Sequence, residues 1–242
     1  MKNIRCGILF NAKQNMFSEY LDWIIEQTKL PNITLSFIHT NDDSHSFKNN
    51  NIGSYNDVIE NSDVVFSLGY WRIIHESDIN KVPIGIVNFH HSHRLKYKGR
   101  HSATWAIRNE EKFHGSTMHF IDKELDEGKI IDSKNFKIGP VDTAEDVFTK
   151  SNEVGLAMLK DNFHDIINQS LHKNIERSKV QHSFKKRDLN HQITFSGNLK
   201  ELLKDIRSLS FNGKPAPFIV VDNQKIYLKL EGYDDGTLNK QQ

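Results

Sequence analysis

Four short apolar runs, separated by segments with helical spacing, are the feature that most limits the fold of this chain. The runs cover 4–10, 33–38, 64–68 and 84–87. Runs of this length are typical of buried strands, and their alternation with helices favours a parallel sheet with right-handed crossovers. We therefore expect an α/β fold, with a mostly parallel sheet flanked by helices.

Two further runs predict an antiparallel extension of that sheet. Residues 116–121 and 129–136 are joined by a short acidic turn, and closely spaced strands favour antiparallel pairing. Thr143 is then a good N-cap, because Glu145 and Asp146 follow it in the first turn of a helix. We expect this helix to be long, ending near residue 171.

A polar stretch after the predicted long helix divides the chain. Residues 173–198 are weakly patterned and are interpreted as a linker or wrapping segment. We expect an N-terminal catalytic domain over 1–172 and a small C-terminal region over 173–242. That region contains a short helix and a β-hairpin formed by 218–221 and 225–230. A lone hairpin is only marginally stable, so it must pack on the main domain or on a second subunit.

Charge and cysteine content exclude several classes of protein. Lys and Arg number 32 and Asp and Glu 31, for a net charge of +1, whereas nucleic-acid binders usually carry a basic excess. The single Cys6 excludes a disulfide framework and is interpreted as an inert core thiol. The N-terminal run is too short for a signal peptide, and no apolar run reaches the roughly 18 residues of a membrane span. We expect a cytoplasmic protein without nucleic-acid or membrane partners.

An amide, an imidazole and a carboxylate follow the fourth and fifth predicted strands. The run 84–87 stops at Asn88-Phe89-His90, and Asp126 lies in the acidic turn. Ligands bind at such strand ends in open α/β sheets. A carboxylate beside an imidazole stabilises its cation, so His90 can accept a proton. A nearby amide can donate a hydrogen bond to an oxyanion.

No nucleophilic side chain accompanies these three residues. Cys6 lies in the first strand, and Ser92 lacks a nucleophile elbow. The nucleophile should therefore arrive with the substrate, and acyl transfer to a substrate amine fits. In that reaction Asn88 stabilises the oxyanion, His90 removes the amine proton, and Asp126 orients or charges His90.

Other interpretations of the same residues stay open at the level of sequence. His90, His91 and His93 could form a metal site, although in an extended segment His90 would point away from the other two. Asn88 and Asp126 could be ordinary turn residues. Three other histidines are interpreted as surface or structural residues: His101, His114 and His119.

Five motif segments together resemble the folate-dependent formyltransferases, and the resemblance extends over roughly residues 1–170. They are an Asn-x-His-x-Ser strand end at 87–92, a Gly-containing loop at 96–100, a Trp-Ala-Ile helix at 105–107, a Gly-Ser-Thr-Met-His segment at 115–119 and a Leu-Asp-x-Gly turn at 125–128. The resemblance implies a formyltransferase-type, Rossmann-like sheet, 10-formyltetrahydrofolate as the co-substrate, no metal, and Asn88, His90 and Asp126 as the catalytic trio.

The same resemblance implies where the two substrates bind. The segment 69–74, whose backbone would cradle the pterin ring, and the turn 121–125 form the folate site, with Trp71, Arg72, Ile73, Ile74, Ile121, Asp122 and Leu125. The basic loop could meet the pyrophosphate of a nucleotide-sugar through Lys96, Tyr97, Arg100 and His101, or be a solvated turn. Three C-terminal aromatics could stack on the base or belong to the hairpin core: Phe211, Phe218 and Tyr227.

The C-terminal region resembles that of the nucleotide-sugar N-formyltransferase branch, where it commonly builds a dimer interface. The glycine-rich phosphate loop of the ribonucleotide transformylases is missing after the first strand, and no large barrel follows the long helix as in the tRNA enzymes. The resemblance implies a homodimer that formylates a dTDP-linked amino-dideoxysugar, dTDP-4-amino-4,6-dideoxyglucose, for O-antigen and lipopolysaccharide synthesis. Formylation of methionyl-tRNA and hydrolysis of formyltetrahydrofolate are the alternatives.

Overall fold

The computed structural model of the chain describes five stretches that include all the predicted core elements. These are residues 3–12, 17–40, 51–179, 182–185 and 189–230. The predicted mobile loop at 41–51 and the predicted frayed tail at 233–242 lie outside the described residues, apart from residue 51. Among the described residues, no helix combines the length and apolar character needed to cross a bilayer.

A six-stranded mixed sheet forms the centre of the molecule. Its strands are β1 (Ile4–Phe10), β2 (Ile33–Thr40), β3 (Val64–Leu68), β4 (Gly85–His90), β6 (Phe113–Phe120) and β7 (Ile130–Lys137). Their order is β2-β1-β3-β4-β6-β7, with β1 to β4 parallel and β6 and β7 antiparallel. The predicted α/β class and the antiparallel extension are both confirmed.

Six α-helices, a 3-10 helix at His93–Leu95 and four short strands complete the described structure. The helices are α1 (Ser18–Gln27), α2 (Tyr55–Asn61), α3 (Glu76–Ile79), α4 (Ser102–Arg108), α5 (Ala144–Ile167) and α6 (Leu199–Leu209). The short strands are β5 (Tyr97–Gly99), β8 (His182–Phe184), β9 (Phe218–Val221) and β10 (Gln224–Tyr227).

The alternation of side chains along β4 decides which of its residues face the core. Val87 and Phe89 belong to the main apolar cluster, which is completed by α1 and α5. Ile86 points to the opposite face, into a second cluster with residues of α2. Because the side-chain period of a strand is two, Asn88 and His90 share the face of Ile86 and stay outside the main core.

The C-terminal region has a small apolar cluster of its own. Ile193, Ile206 and Leu209 are buried in it, and the β9–β10 hairpin contributes Ile219. At the hairpin turn, Asp222 and Asn223 both have positive φ, of 48° and 62°, as a type I′ turn requires. The predicted hairpin is confirmed.

The polar stretch after α5 does more than link two units. Its residues 182–184 form β8, which pairs in parallel with β5, so that Tyr97 lies opposite His182. This stretch therefore wraps along the N-terminal unit, in agreement with one of the two interpretations of it. The domain boundary after residue 172 stays a prediction.

The predicted N-cap of α5 is confirmed as a reciprocal pair of hydrogen bonds. The Thr143 hydroxyl accepts from the Asp146 N–H at 3.2 Å, and the Asp146 carboxylate accepts from the Thr143 N–H at 2.8 Å. The helix ends at Ile167, a few residues earlier than the pattern predicts. Two otherwise unsatisfied helix donors are thus paired at its start.

We expect Thr143→Ala to lower the free energy of unfolding by about 1 kcal/mol, since it removes this cap. Thr149→Ala is the matched control, because Thr149 is exposed inside the same helix and alanine is the better helix former. Urea unfolding of the two variants measures the difference. Equal destabilisation by both changes would contradict the role of the cap.

Candidate active site

The structure brings together the three residues singled out by the sequence. Asn88 and His90 are two residues apart on one face of β4, and Asp126 lies in the turn after β6. The Nδ1 atom of His90 is 3.8 Å from Oδ1 of Asp126, and the two side chains are only 12% and 7% exposed. The carboxylate and the imidazole therefore face each other with little water between them.

The tautomer of His90 is set by a backbone carbonyl. Its Nε2 atom lies 2.5 Å from the oxygen of Tyr97, and because a carbonyl only accepts, Nε2 carries the hydrogen. Nδ1 then keeps its lone pair on the side of Asp126. This is the atom that can take up a proton, and the carboxylate would stabilise the resulting cation.

The Asp126 carboxylate is held by β5 as well as by its own turn. Its Oδ2 accepts from the Gly99 N–H at 3.2 Å. Gly99 has a φ of 79°, and a Cβ there would lie 2.4 Å from the Phe184 carbonyl oxygen. Glycine is therefore required for the backbone approach that brings this N–H to the carboxylate.

His119 is a member of this cluster that the sequence did not reveal. Its Nδ1 donates to the Phe120 carbonyl at 2.8 Å, so its Nε2 accepts from the Asn88 amide nitrogen at 3.2 Å. Nε2 is also 3.8 Å from Asp126. Burial lowers the pKa of His119 to about 4, against the opposing effect of Asp126, so the ring is a neutral acceptor.

This contact orients the Asn88 amide. An amide nitrogen carries two hydrogens; His119 accepts one, which leaves the second for an oxyanion. The signal that identifies His119 is the strand register, since Asn88 lies directly opposite His119 in the β4–β6 pair. That register is a property of the paired strands and cannot be read from either strand alone.

The neighbouring histidines have separate surroundings. The ring of His91 packs against Phe148, with centroids 4.5 Å apart, while His93 hydrogen-bonds to Ser133 at 3.1 Å. In the part of the chain that the structure describes, no three His, Cys, Asp or Glu side chains are grouped to hold a metal. His114 and His119 are both buried, so the surface interpretation is wrong for them.

The two segments expected to hold folate meet in one apolar cluster beneath β4. Ile74 and Ile121 both pack into it. Ile74 is buried, and its place in the folate site, which was expected through the backbone of the segment, stays a prediction. Beside them lie three exposed apolar side chains: Trp71, Ile73 and Leu125 are 58%, 80% and 65% exposed.

The polar members of the two expected folate segments have local partners. The Arg72 guanidinium lies over the Trp71 ring, 5.6 Å from its centroid. The carboxylate of Asp122 accepts from the Lys123 N–H at 2.7 Å. Asp122 therefore shapes the turn that begins after β6.

The basic loop is partly neutralised within the protein. Lys96 pairs with Glu111 at 2.5 Å. Tyr97 is buried, and its hydroxyl donates to Glu111 at 2.9 Å. Its hydroxyl is thus used inside the protein, and its role toward a substrate stays a prediction. Arg100 is exposed, and His101 takes a left-handed conformation at the start of α4.

The C-terminal aromatics have partners within the fold. Phe211 contacts Phe148 with ring centroids 5.3 Å apart, and Phe218 contacts Tyr227 at 5.8 Å. Phe211 therefore packs against α5 and Phe218 within the hairpin, whereas Tyr227 is 59% exposed, so the hairpin-core interpretation is favoured for Phe218 alone.

Neither Cys6 nor Ser92 offers a nucleophile. Burial raises the pKa of the Cys6 thiol to about 12, which confirms an inert core thiol. Ser92 is fully buried, and its hydroxyl accepts from the Tyr97 N–H at 2.8 Å. Ser92 thereby holds the loop that presents the Tyr97 carbonyl to His90.

Comparison with known proteins gives the family of this site and fold. The formyl transferase family model matches residues 25–162, which is more than half of the chain. The chain belongs to the formyl transferase family, as its motifs predict.

Curated relatives match only part of this chain. The bifunctional polymyxin resistance protein ArnA of Wigglesworthia glossinidia brevipalpis is 37% identical over 89 residues, or 36% of this chain and 14% of that protein. The methionyl-tRNA formyltransferase of Koribacter versatilis is 29% identical over 151 residues, covering 61% of this chain and 48% of the relative. The chain spans about half or less of the length of such curated relatives.

Among solved structures, sugar N-formyltransferases are similar over nearly their whole length. WlaRD, a sugar 3N-formyltransferase solved with dTDP and 5-N-formyl-THF, is 26% identical with a TM-score of 0.74, covering 93% of this chain and 85% of WlaRD. An N-formyltransferase from Helicobacter canadensis, in complex with folinic acid and dTDP-3-aminofucose, is 25% identical with a TM-score of 0.73, covering 93% and 86%.

We expect the buried histidines to make the fold acid-sensitive. Burial lowers the pKa of His91 to about 3 and of His114 to about 4, from 6.5. The unfolded chain therefore takes up protons first, and stability present above pH 6.5 is lost as the pH falls. Below pH 6.5, each of these histidines should lower the free energy of unfolding by about 1.4 kcal/mol for each unit by which the pH falls.

Urea unfolding at about pH 7.5 and about pH 5.5 tests this, in a window where the carboxylates stay ionised in both states. In His114→Gln, the free energy of unfolding should change less between the two pH values, by the contribution of one histidine. An unfolding free energy that does not change between the two pH values would contradict the expectation.

Proposed function

We propose that this chain transfers the formyl group of 10-formyltetrahydrofolate to the amine of a dTDP-linked amino-dideoxysugar. The observation that carries the proposal is the arrangement around His90. Its Nδ1 lone pair faces Asp126 at 3.8 Å, and the amide of Asn88 is oriented beside it by His119 at 3.2 Å. The base and the oxyanion donor are thus in place, and the attacking amine comes from the substrate.

Each side chain has one task in this mechanism. The folate donor supplies an N-formyl group whose carbonyl carbon is electrophilic. As the amine attacks, His90 accepts its proton at Nδ1. The free N–H of Asn88 donates to the oxygen on which negative charge develops, and the Asp126 carboxylate stabilises the imidazolium. When the tetrahedral intermediate collapses, the bond between the formyl carbon and N10 of the donor breaks. His90 returns the proton to N10, so that tetrahydrofolate leaves and the formamide remains on the sugar.

The surroundings of the trio fit a flat heterocyclic donor. The 69–74 segment and the 121–125 turn meet in one apolar cluster, and Trp71, Ile73 and Leu125 offer exposed apolar surface. In our proposal these segments hold the pterin, and Arg72 and Asp122 line the same site. Solved relatives bound to 5-N-formyl-THF and to folinic acid support a folate donor.

The acceptor is assigned from the same two relatives and from the basic loop. WlaRD was solved with dTDP, and the Helicobacter canadensis enzyme with dTDP-3-aminofucose. They favour a 3-amino sugar over the 4-amino isomer implied by the motifs. We assign the pyrophosphate to Lys96, Arg100 and His101. Cytoplasmic synthesis of O-antigen for lipopolysaccharide is the setting that we propose for this product.

The methionyl-tRNA formyltransferases among the curated relatives supply a second candidate acceptor. A tRNA acceptor would give binding that weakens steeply with salt. The net charge of +1 favours the sugar. Hydrolysis of the folate donor without any acceptor is the remaining alternative within the family, and the assay below detects it.

The acceptor panel contains 3-amino and 4-amino sugars, each linked to dTDP or to UDP. We expect the wild-type protein, given 10-formyltetrahydrofolate, to add one formyl group to a dTDP-linked member of this panel. Mass spectrometry of the sugar reads the product. His90→Asn should lower the rate by about 10²–10⁴-fold, because it removes the general base. His93→Gln, on the same loop but outside the trio, should stay close to wild type.

Two outcomes would contradict this function. A fully active His90→Asn variant would remove the proposed base. A wild-type protein that formylates methionyl-tRNA, or that only hydrolyses the donor, would move the chain to another activity of the family.

We also propose a homodimer formed through the C-terminal region. The exposed apolar side chains on α6 and the hairpin include Leu203, Val220 and Ile226. Packing against a second copy would cover them, and a hairpin needs such support.

We expect sedimentation velocity to show a dimer for wild type and a monomer for the double variant Leu203→Glu and Ile226→Glu. The added charges would be buried without partners in the interface. Leu30→Glu is the control, since Leu30 is an exposed apolar residue next to α1. A wild-type monomer, or a variant that remains dimeric, would overturn this assignment.

A further inference from the structure

The stretch after α5 returns to the turn that carries Asp126. Arg177 donates from Nη1 to the Asp126 carbonyl and from Nη2 to the Gly128 carbonyl, both at 2.6 Å. Its guanidinium also lies 3.2 Å from the Glu127 carboxylate. One side chain thus contacts all three residues of the turn segment 126–128.

The chemistry of these contacts makes them a clamp. A guanidinium is a planar fork with fixed donor directions. Two of its N–H groups act on carbonyls two residues apart, so they fix the orientation of the peptide groups as well as their position. The Arg177 side chain is only 26% exposed, which limits competition from water.

The turn needs such support because its backbone is strained. Asp126 has a φ of 54°, in the left-handed region that residues other than glycine rarely adopt. Such conformations persist where the surroundings hold them. At Gly128, a Cβ would lie 1.6 Å from the Phe120 carbonyl oxygen, so the turn is pressed against the end of β6.

The clamp lies close to the Asp126 carboxylate and His90. The backbone of Asp126 is held by Arg177, while its carboxylate accepts from the Gly99 N–H and lies 3.8 Å from His90. On the other side of the turn, Lys98 pairs with Glu127. A shift of the turn would therefore move the carboxylate relative to His90.

We propose that Arg177 is a positioning residue that holds the Asp126 carboxylate at its working distance from His90. This inference rests on the proposed formyl transfer at the same site. It assigns a role in the reaction to a residue beyond position 172, where the sequence predicts the C-terminal region to begin.

Lys173 provides a matched control for a merely structural role. It lies in the same stretch, and its Nζ is 2.9 Å from Asp132 and 3.2 Å from Asn162. Lys173 and Arg177 both attach this stretch to the N-terminal unit by charged contacts, but Lys173 contacts β7 and α5 instead of the turn.

The experiment compares Arg177→Met, Arg177→Lys and Lys173→Met in the full chain. We expect Arg177→Met to lower kcat by about 10²-fold, as misplacement of a catalytic group does, with the KM of both substrates little changed. Arg177→Lys should recover part of the activity, because an ammonium donates to the carbonyls without the fixed fork. Lys173→Met should keep a kcat near wild type.

A second measurement does not need turnover. Hydrogen exchange of the Gly99 amide reports whether the Asp126 carboxylate is still in place. Exchange should be faster in Arg177→Met and unchanged in Lys173→Met. Thermal unfolding verifies that each variant is folded, and Arg177→Lys serves if the Met variant does not fold.

The results separate this inference from the proposed function. A wild-type protein without transfer activity would refute the function, and the Gly99 exchange would still decide the role of Arg177. If Arg177→Met and Lys173→Met lose kcat equally and show equal exchange of the Gly99 amide, the arginine only attaches the stretch after α5 to the N-terminal unit. That result would overturn the inference. So would an Arg177→Met variant with wild-type kcat.

Discussion

The hydrogen bond from His90 Nε2 to the Tyr97 carbonyl is the interaction on which the chemistry of this site depends. It selects the tautomer and aims the basic nitrogen at Asp126. The loop that supplies the carbonyl is in turn fixed by Ser92, whose hydroxyl accepts from the Tyr97 N–H. A serine near His90, the proposed catalytic base, is therefore part of the scaffold, although in another setting the same pair would suggest a nucleophile.

Burial is the second organising constraint, because it keeps the histidines around His90 uncharged. Desolvation is the main cause of the lowered pKa of His91 and of His114, with a smaller contribution from neighbouring histidines, and it lowers the pKa of His119 despite the nearby Asp126. A neutral His119 can accept from the Asn88 amide, whereas a protonated ring could not. The environment that stabilises the fold thus also gives the amide its orientation.

The sequence was informative where a local pattern decides the structure. Strand alternation places Asn88 and His90 on one face, and the Thr143 cap is visible as a motif. The proximity of Asp126 followed from family resemblance, since spacing alone left a turn residue equally open. The contacts of His119 and Arg177 were not predicted. Those of His119 depend on the register of β4 and β6, and those of Arg177 on the path by which the polar stretch returns to the turn. The burial of Tyr97 was not foreseen because it depends on packing with Glu111 and β8.

The contact between Arg177 and the Asp126 carbonyl spans 51 residues of sequence. During synthesis from the N-terminus, Asn88, His90 and Asp126 are all added to the chain well before Arg177, which completes the clamp. The sheet, the strand register and the histidine tautomer can all form from residues before α5 ends. The last step in assembling the site is then the return of the chain past the long helix, which couples completion of the active site to emergence of the C-terminal third of the protein.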